Sequence, residues 1–295
     1  MRNQLNIQQW RLSGAYFTFN NQQIFYKDTL QTDSDKNKQT LLLIHGFPTS
    51  SWDWMKIWPE LNKSYRLITL DLLGFGFSDK PYKKYSIFEQ ADICQALLTK
   101  LNVSHYHIIA HDYGDTVAQE LLARDVAGEQ IQSCNLTNGG LFPETHHSLP
   151  IQTLLISPLG FLFPLFYSKF KLKQNLDNIC FIPLSESEIS ANWQLICHNK
   201  GKRIIHKIIR YMRERIHNRT RWVNALINTE VPLHLINGVL DPISGEHMVV
   251  RYEELIPKPN VTRLHQVGHY PHVESPSKFA KVCIRFIENH SNPAL

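Results

Sequence analysis

A strand-turn-helix elbow holds the first residue whose type and place suggest chemistry. The segment AHDYG, residues 110–114, follows a strongly apolar run and leads into a helical pattern. Small residues two places before and after a central residue let the chain turn tightly and hold that residue, strained, at the top of a sheet. Here Ala110 and Gly114 flank Asp112. A carboxylate nucleophile can displace a halide or open an epoxide and leave an ester on the protein, so Asp112 is the predicted nucleophile.

The segment HGFP, residues 45–48, could stabilise negative charge beside that nucleophile. It directly follows the apolar run LLLI, and a glycine at such a point permits a turn that directs backbone N–H groups into a site. We expect the N–H groups of Phe47 and of Tyr113, the residue after the nucleophile, to form an oxyanion hole. The alternative is that HGFP is only a turn.

An acid and a histidine should follow a nucleophile elbow along the chain. Asp241 in NGVLDP and His269 in VGHYPHVESP each come after a predicted strand, at the carboxyl end where parallel sheets place their sites. His269 would take a proton from water while Asp241 fixes the orientation of its ring. His265 and His272 are rivals for the base, and Glu144 is the alternative acid.

Short apolar runs alternate with helical patterns, which predicts an α/β fold with a mostly parallel sheet flanked by helices. A hairpin with Asn20 and Asn21 at its turn should form one edge of the sheet. Ser86 and Glu89 are expected to form a capping box at the start of a helix over residues 87–101. The predicted strands are residues 16–19, 23–26, 41–44, 66–70, 105–110, 133–136, 231–238 and 261–267. Further helices are predicted near residues 246–255 and over 277–287.

The alternation stops between Pro143 and Trp222, where the chain becomes helical and rich in aromatic residues. We therefore predict a core domain formed by residues 1–142 and 223–295, with an inserted helical cap over residues 143–222. Core and cap together should enclose a largely apolar pocket with the nucleophile at its floor.

The composition excludes several classes of protein. The chain has 295 residues, 43% of them hydrophobic, so it can form a sizeable core, which excludes disorder. Its five cysteines include no CxxC pair, and the N-terminal residues lack the apolar segment of a signal peptide. We expect a cytoplasmic location. No transmembrane span is expected, because the most apolar stretch, residues 151–166, is short and contains Pro158 and Pro164.

Positively charged residues are concentrated in one stretch of the sequence. Residues 200–221 contain nine Lys and Arg and one acidic residue, with isoleucines at helical spacing, which predicts a basic amphipathic helix. The favoured interpretation is a cap helix whose apolar face covers the site. The second interpretation is peripheral contact with an anionic membrane, aided by the apolar residues 151–166. We expect no nucleic-acid partner.

No cofactor or metal is expected. Gly74 and Gly76 resemble the start of a dinucleotide-binding loop, but Asp79 occupies the place of the third glycine. The histidine groups at residues 105–111 and 265–272 lack cysteine or carboxylate partners at ligand spacing.

Several motifs together resemble one known family. HGFPTSSWDW, DLLGFGFSDKP, AHDYGD, NGVLDP and GHYPHVESP are similar to segments of the α/β-hydrolase superfamily, in its epoxide hydrolase and haloalkane dehalogenase branch. The resemblance covers roughly residues 40–290. It implies the α/β-hydrolase fold, a helical cap, and Asp112, Asp241 and His269 as the catalytic triad.

At some positions this chain differs from the typical residues of the branch, and these differences bear on which of the two activities is expected. Its dehalogenases hold halide with a Trp after the nucleophile and an Asn in the oxyanion turn, where this chain has Tyr113 and Phe47. Its epoxide hydrolases rely on two cap tyrosines, for which Tyr167 and Tyr211 are the candidates; the alternative is that both are core residues. The favoured function is therefore epoxide hydrolysis, on a small apolar electrophilic substrate and water. Dehalogenation and a non-catalytic binding role remain the alternatives.

Overall fold

The computed structural model describes residues 6–30, 37–125, 127–147 and 150–290. Its centre is a sheet of eight strands in the order β1-β2-β4-β3-β5-β6-β7-β8. The strands are β1 Ala15–Phe19, β2 Gln22–Asp28, β3 Thr40–Ile44, β4 Arg66–Leu70, β5 Tyr106–Ala110, β6 Ile131–Thr137, β7 Leu233–Gly238 and β8 Val261–Leu264. β1 pairs antiparallel with β2, and β2 with β4, whereas the other neighbours are parallel. The predicted α/β fold with an edge hairpin is confirmed.

Helices cover both faces of this sheet. They are α1 Ile7–Leu12, α2 Trp58–Leu61, α3 Ile87–Lys100, α4 Tyr113–Arg124, α5 Pro150–Ile156, α6 Phe163–Phe166, α7 Lys169–Ile179, α8 Glu186–Cys197, α9 Ile205–Ile208, α10 Tyr211–His217, α11 Arg219–Asn228, α12 Glu246–Leu255, α13 Pro271–Glu274 and α14 Pro276–His290. Short 3₁₀ helices span Ser51–Lys56, Pro143–Thr145, Pro158–Leu162 and His198–Ile204. Side chains alternate across β3, so that Leu42 joins one apolar layer with α3 and α4, and Leu43 joins the other with α14. Among the described residues, no helix has both the length and the apolar character needed to cross a membrane.

The chain between β6 and β7 is helical in its described part, from the 3₁₀ turn at Pro143 to α11. The expected boundary at residue 222 falls inside α11. This helix is fixed to α4, because the guanidinium of Arg221 and the indole N–H of Trp222 both reach Glu120. Residues 1–5 and 291–295 of the expected core lie outside the described residues.

Two local predictions are wrong. The basic stretch 200–221 is not one amphipathic helix, because Asn199 and Lys200 have positive φ and the chain then forms the separate helices α9, α10 and α11. Its isoleucines at 204, 205, 208 and 209 are buried, as the packed interpretation requires. Ser86 does cap α3, but no capping box forms. Glu89 pairs with Lys83, and the backbone N–H of Ile87 donates to a carboxylate far along the chain, Glu214 of α10.

Candidate active site

Asp112 occupies a strained turn between β5 and α4. Its φ of 49° and ψ of −107° are rare for any residue other than glycine. The turn is tight because α4 starts directly against the end of β3. A Cβ atom at Gly114 would lie 2.3 Å from the carbonyl oxygen of Ile44 and 2.8 Å from that of His45. The packing therefore requires glycine there, and the turn places Asp112, buried but for 8% of its surface, at the carboxyl edge of the sheet.

Three predicted site residues meet at this edge. Nδ1 of His269 lies 2.8 Å from Oδ2 of Asp241, and Nε2 of the same ring lies 3.9 Å from Oδ1 of Asp112. Asp112 follows β5, Asp241 follows β7 and His269 follows β8. All three side chains are buried. The imidazole thus lies between two carboxylates, with one nitrogen held and the other directed at Asp112.

The charges of this group act on each other strongly because water is excluded. Burial by itself lowers the pKa of His269, but the Asp241 carboxylate, its hydrogen bond and the charge of Asp112 outweigh burial and raise that pKa to about 9. Burial raises the pKa of Asp241, yet His269 and a hydrogen bond from Asn138 hold it at about 2. At neutral pH the geometry therefore favours an imidazolium between two carboxylates.

This pairing has a measurable effect on stability. The folded pKa of His269, about 9, lies above its ordinary value of 6.5, so its contribution to stability is complete below pH 6.5 and is lost as pH rises through 9. We expect the difference in free energy of unfolding between the wild type and His269→Gln to shrink over that range. Urea unfolding at a series of pH values measures it. The exposed His265, changed to Gln, is the control; a difference independent of pH would contradict the pairing.

Sequence reasoning missed two further partners of Asp241. Nδ2 of Asn138 donates to Oδ2 of Asp241 over 3.0 Å, and Oγ of Ser244 donates to the same oxygen over 2.7 Å. They act on the same oxygen that His269 contacts, while the Ile243 N–H donates to Oδ1, so both oxygens of the carboxylate are held. Asn138 directly follows β6, between the strands that carry Asp112 and Asp241. Because it directly follows a central strand, its position in the sequence could have identified it as a candidate site residue.

The turn that contains Phe47 lies against Asp112. The N–H of Phe47 donates to Oδ2 of Asp112 over 2.8 Å. Gly46 permits this approach, since a Cβ atom there would lie 2.9 Å from Cβ of Asp112. Tyr113 is the first residue of α4, where a backbone N–H has no partner within its own helix. The Phe47 N–H thus contacts Asp112, and the part of the Tyr113 N–H in an oxyanion hole stays a prediction.

Asp112 and His269 lie in the wall of a cavity that is otherwise mainly apolar. The cavity is lined by Phe47, Pro48, Asp112, Ile151, Gln152, Leu155, Phe163, Tyr167, Leu172, Asn175, Leu176, Ile179, Ile205, Ile209, Tyr211, Ile243 and His269. Much of this lining comes from α5 to α10. An apolar cavity with a few convergent polar groups is the usual form of a small-molecule site.

Both candidate cap tyrosines line the cavity, but their contacts differ. Burial and the Asp112 carboxylate raise the pKa of Tyr211, and Arg215 lowers it. Burial also raises the pKa of Tyr167, which Asn175 rather than Asp112 influences. Of the two hydroxyls, that of Tyr211 is therefore the one on which the Asp112 carboxylate acts.

Arg215 is a second residue that sequence reasoning missed. It is only 3% exposed, and its guanidinium carbon lies 5.7 Å from the ring centroid of Tyr211. Its charge opposes the effect of burial on the pKa of Tyr211. Arg215 belongs to the basic stretch 200–221, whose charged side chains were expected to face the solvent. Nothing in the sequence separates this buried arginine from its exposed neighbours.

The alternative acid, Glu144, has other partners. Glu144 forms salt bridges with Arg219 and Arg251, and the Arg219 hydrogen bonds hold its pKa at about 2. The acid position beside His269 is occupied by Asp241. Among the rival histidines, His265 is exposed.

In the described part of the chain, one group of side chains has the spacing of metal ligands. Asp53, His111 and His272 each offer an atom within 4.8 Å of the others. Burial raises the pKa of Asp53 to about 8 and lowers that of His272 to about 3. Thr49 donates to Asp53, and the ring of His272 packs on Trp54 with centroids 4.4 Å apart. Structural metal sites usually have four protein ligands, so we assign no metal or cofactor to this incomplete set.

Comparisons with known proteins agree with the fold. A family model described as alpha/beta hydrolase fold matches residues 39–276. The chain is 40% identical over 299 residues to the mesoderm-specific transcript protein of Mus musculus, covering 96% of this chain and 88% of that relative. The human homologue of that relative is also 40% identical to this chain over 299 residues.

Solved structures of two kinds of enzyme have the same fold. A loop variant of the haloalkane dehalogenase DbeA from Bradyrhizobium elkanii superposes with a TM-score of 0.81 at 21% identity, covering 94% of this chain and 96% of that one. The epoxide hydrolase CorEH superposes with a TM-score of 0.74 at 18% identity, covering 94% of this chain and 98% of that one. The resemblance seen in the sequence motifs is confirmed: the chain belongs to the α/β-hydrolase family, as a relative of the mesoderm-specific transcript proteins.

Proposed function

We propose that this protein hydrolyses epoxides through an ester formed on Asp112. One observation carries the proposal. The Asp112 carboxylate lies in the wall of an apolar cavity that Tyr211 and His269 also line, and it accepts a hydrogen bond from the Phe47 N–H. These are the groups needed to form an ester, to protonate a leaving oxygen and to hydrolyse the ester. The helices of residues 143–222 act as a lid, since they supply Tyr211 and much of the apolar lining.

In the first step, Oδ1 of Asp112 attacks a ring carbon of the epoxide. A carbon–oxygen bond forms to the carboxylate while the ring carbon–oxygen bond breaks, and the ring oxygen leaves as an alkoxide. Tyr211 gives its hydroxyl proton to that oxygen, and Arg215 stabilises the resulting phenolate. The product is a hydroxyalkyl ester. Its carbonyl oxygen is Oδ2, which the Phe47 N–H already holds.

In the second step, His269 takes a proton from a water molecule whose oxygen attacks Cγ of Asp112. The negative charge that develops on Oδ2 is stabilised by the N–H groups of Phe47 and Tyr113. The intermediate collapses and the bond to the alkyl oxygen breaks. His269 gives its proton to the departing alkyl oxygen, which completes the diol. The carboxylic acid left on Asp112 holds the second proton of the water, and its transfer to the Tyr211 phenolate restores both the phenol and the Asp112 carboxylate. The net reaction adds one water to one epoxide.

The electrostatics of His269 suit this order of events. In the free protein two carboxylates raise its pKa to about 9, which disfavours the neutral form that a base needs. Esterification removes the charge of Asp112. The pKa of His269 then falls, and neutral imidazole becomes available in the step that requires it.

Epoxide opening is favoured over halide displacement by the donors present. A departing halide needs N–H donors but no proton. The side chains of Phe47 and Tyr113 supply no such N–H group. Tyr211, in contrast, has a phenolic proton that it can give to a leaving oxygen, which an alkoxide requires and a halide does not. Dehalogenation and a binding role without chemistry remain the competing functions.

Changing the nucleophile tests the proposal. We expect wild-type protein to convert members of a panel of terminal epoxides to diols, and Asp112→Asn to lose that activity by at least about 10⁴-fold, because a neutral amide is a poor nucleophile. Product analysis by mass spectrometry measures both rates, and circular dichroism checks the fold of the variant. Turnover of haloalkanes but not epoxides would favour dehalogenation. No turnover of either panel by the wild type would favour the binding role.

A further inference from the structure

We infer that the cap docks on an anionic phospholipid bilayer through an exposed apolar face. This face consists of Leu154, Leu159, Phe161, Leu165, Phe166 and Phe170, which belong to α5, α6, the 3₁₀ helix between them and the start of α7. Nothing in the sequence motifs or in the triad chemistry accounts for it. The face is distinct from the basic stretch 200–221, whose isoleucines at 204, 205, 208 and 209 are buried.

The apolar face is unusual for a folded domain. Leu165 and Phe166 expose 74% and 76% of their surface, although Leu155 and Phe163 of the same elements are buried in the core. The short helices therefore carry apolar side chains on both their inner and outer sides. Leu154, Leu159 and Phe166 line one surface groove, and the other three members of the face are sequence neighbours of residues that line it. Contiguous apolar surface of this kind marks an interaction site in soluble proteins.

Positive charge lies beside the face. Lys171 lines the same groove, Lys202 donates to the carbonyl oxygen of Tyr167, and Arg213 donates to that of Ile156. Residues 143–222 contain twelve Lys and Arg against five Asp and Glu, whereas the rest of the chain has 19 against 21. Asp177, the acidic residue in the groove, is paired with Lys173 over 2.7 Å.

This combination fits a lipid surface. Phe and Leu side chains that protrude from short helices can enter the boundary between headgroups and acyl chains, while the Lys and Arg groups beside them meet anionic headgroups. A nucleic acid would match the charge but not the apolar centre. A bilayer matches both.

The same face adjoins the substrate cavity. Ile151, Phe163, Tyr167 and Asn175 line the cavity on one side and the surface groove on the other. A substrate dissolved in the bilayer would therefore have a short apolar path to Asp112. This step rests on the proposed function. Together with it, a path from the bilayer to Asp112 makes long-chain, lipid-soluble epoxides the expected substrate class.

Vesicle flotation tests the docking surface directly. We expect the wild type to float with vesicles of phosphatidylcholine and roughly one third phosphatidylserine, and to bind several-fold less at high salt or without phosphatidylserine. Phe166→Asp should weaken binding by about tenfold or more, since burying one Phe side chain contributes at least that factor. Leu12 on α1 is 84% exposed and lies outside this face. Leu12→Asp introduces the same negative charge there and should bind like the wild type. Lys171→Gln should weaken binding more than Lys281→Gln on α14 does.

Three results would overturn docking. They are the absence of binding to either kind of vesicle, an equal loss in Leu12→Asp and Phe166→Asp, and self-association by sedimentation velocity that Phe166→Asp abolishes. The last would assign the face to a second copy of the chain.

Ester formation separates docking from the proposed chemistry. Phe166→Asp should slow esterification by a long-chain epoxide carried in vesicles and leave a short, water-soluble epoxide unaffected. Equal rates with the vesicle-borne epoxide would overturn the path from the bilayer. Esters without vesicle binding would contradict docking alone. Vesicle binding without any ester would contradict the proposed function alone.

Discussion

His269→Gln is expected to trap the ester on Asp112. The first step needs only the Asp112 carboxylate and the Tyr211 proton, whereas the second needs a base to activate water. Removing the ring should slow the second step by roughly 100-fold to 10,000-fold. The protein should then gain the mass of one epoxide molecule, which intact-protein mass spectrometry detects. Peptide mapping should locate the added mass on Asp112.

Two variants serve as controls for the trapped ester. The double variant Asp112→Asn with His269→Gln should gain no mass, because it lacks the nucleophile. His265→Gln, which alters an exposed histidine, should hydrolyse its ester as fast as the wild type does. An adduct on another residue, or an unimpaired turnover in His269→Gln, would contradict the two-step mechanism.

The sheet and the positions of the site residues could be predicted from the sequence because both depend on local patterns. The strands β3, β4 and β5 are buried on both faces, so they appear as continuous apolar runs. Parallel strands bring their carboxyl ends to one edge. Asp112, Asp241 and His269 each follow such a strand, so their meeting within 3.9 Å follows from the topology.

The cap could be predicted only as a helical segment. Its short helices pack by contacts distant in sequence, such as the hydrogen bond that the Ile87 N–H at the start of α3 donates to Glu214, 127 residues away. Glu89 instead pairs with Lys83. For the same reason the buried Arg215 and the exposed Phe166 could not be distinguished from their neighbours by residue type alone.

The charge around Tyr211 also depends on packing that the sequence does not contain. Burial and Asp112 both raise the pKa of this phenol, and Arg215 opposes them. Once Asp112 is esterified, one of the raising effects disappears while Arg215 remains. The phenolate left by proton donation is then stabilised at the moment it forms. Tyr211 is therefore better placed than Tyr167 to act as the acid.

Tyr211→Phe should slow the formation of the epoxide ester by roughly 100-fold to 10,000-fold, the usual contribution of a positioned acid. The change should leave the cavity shape almost unaltered, because it removes one oxygen and keeps the ring. The rate is best measured in the His269→Gln background, where the increase in protein mass reports the first step alone.

Tyr167→Phe is the matched control, because this tyrosine lines the same cavity but its pKa is influenced by Asn175 rather than by Asp112. It should slow ester formation much less than Tyr211→Phe does. A reactive alkyl halide provides a second control within one variant, since halide leaves without a proton and Tyr211→Phe should not slow its displacement. If Tyr211→Phe slowed epoxide and halide equally, the phenol would orient Asp112 rather than donate a proton. If it slowed neither, the leaving oxygen would have to obtain its proton from another group, and the argument that favours epoxides over halides would fail.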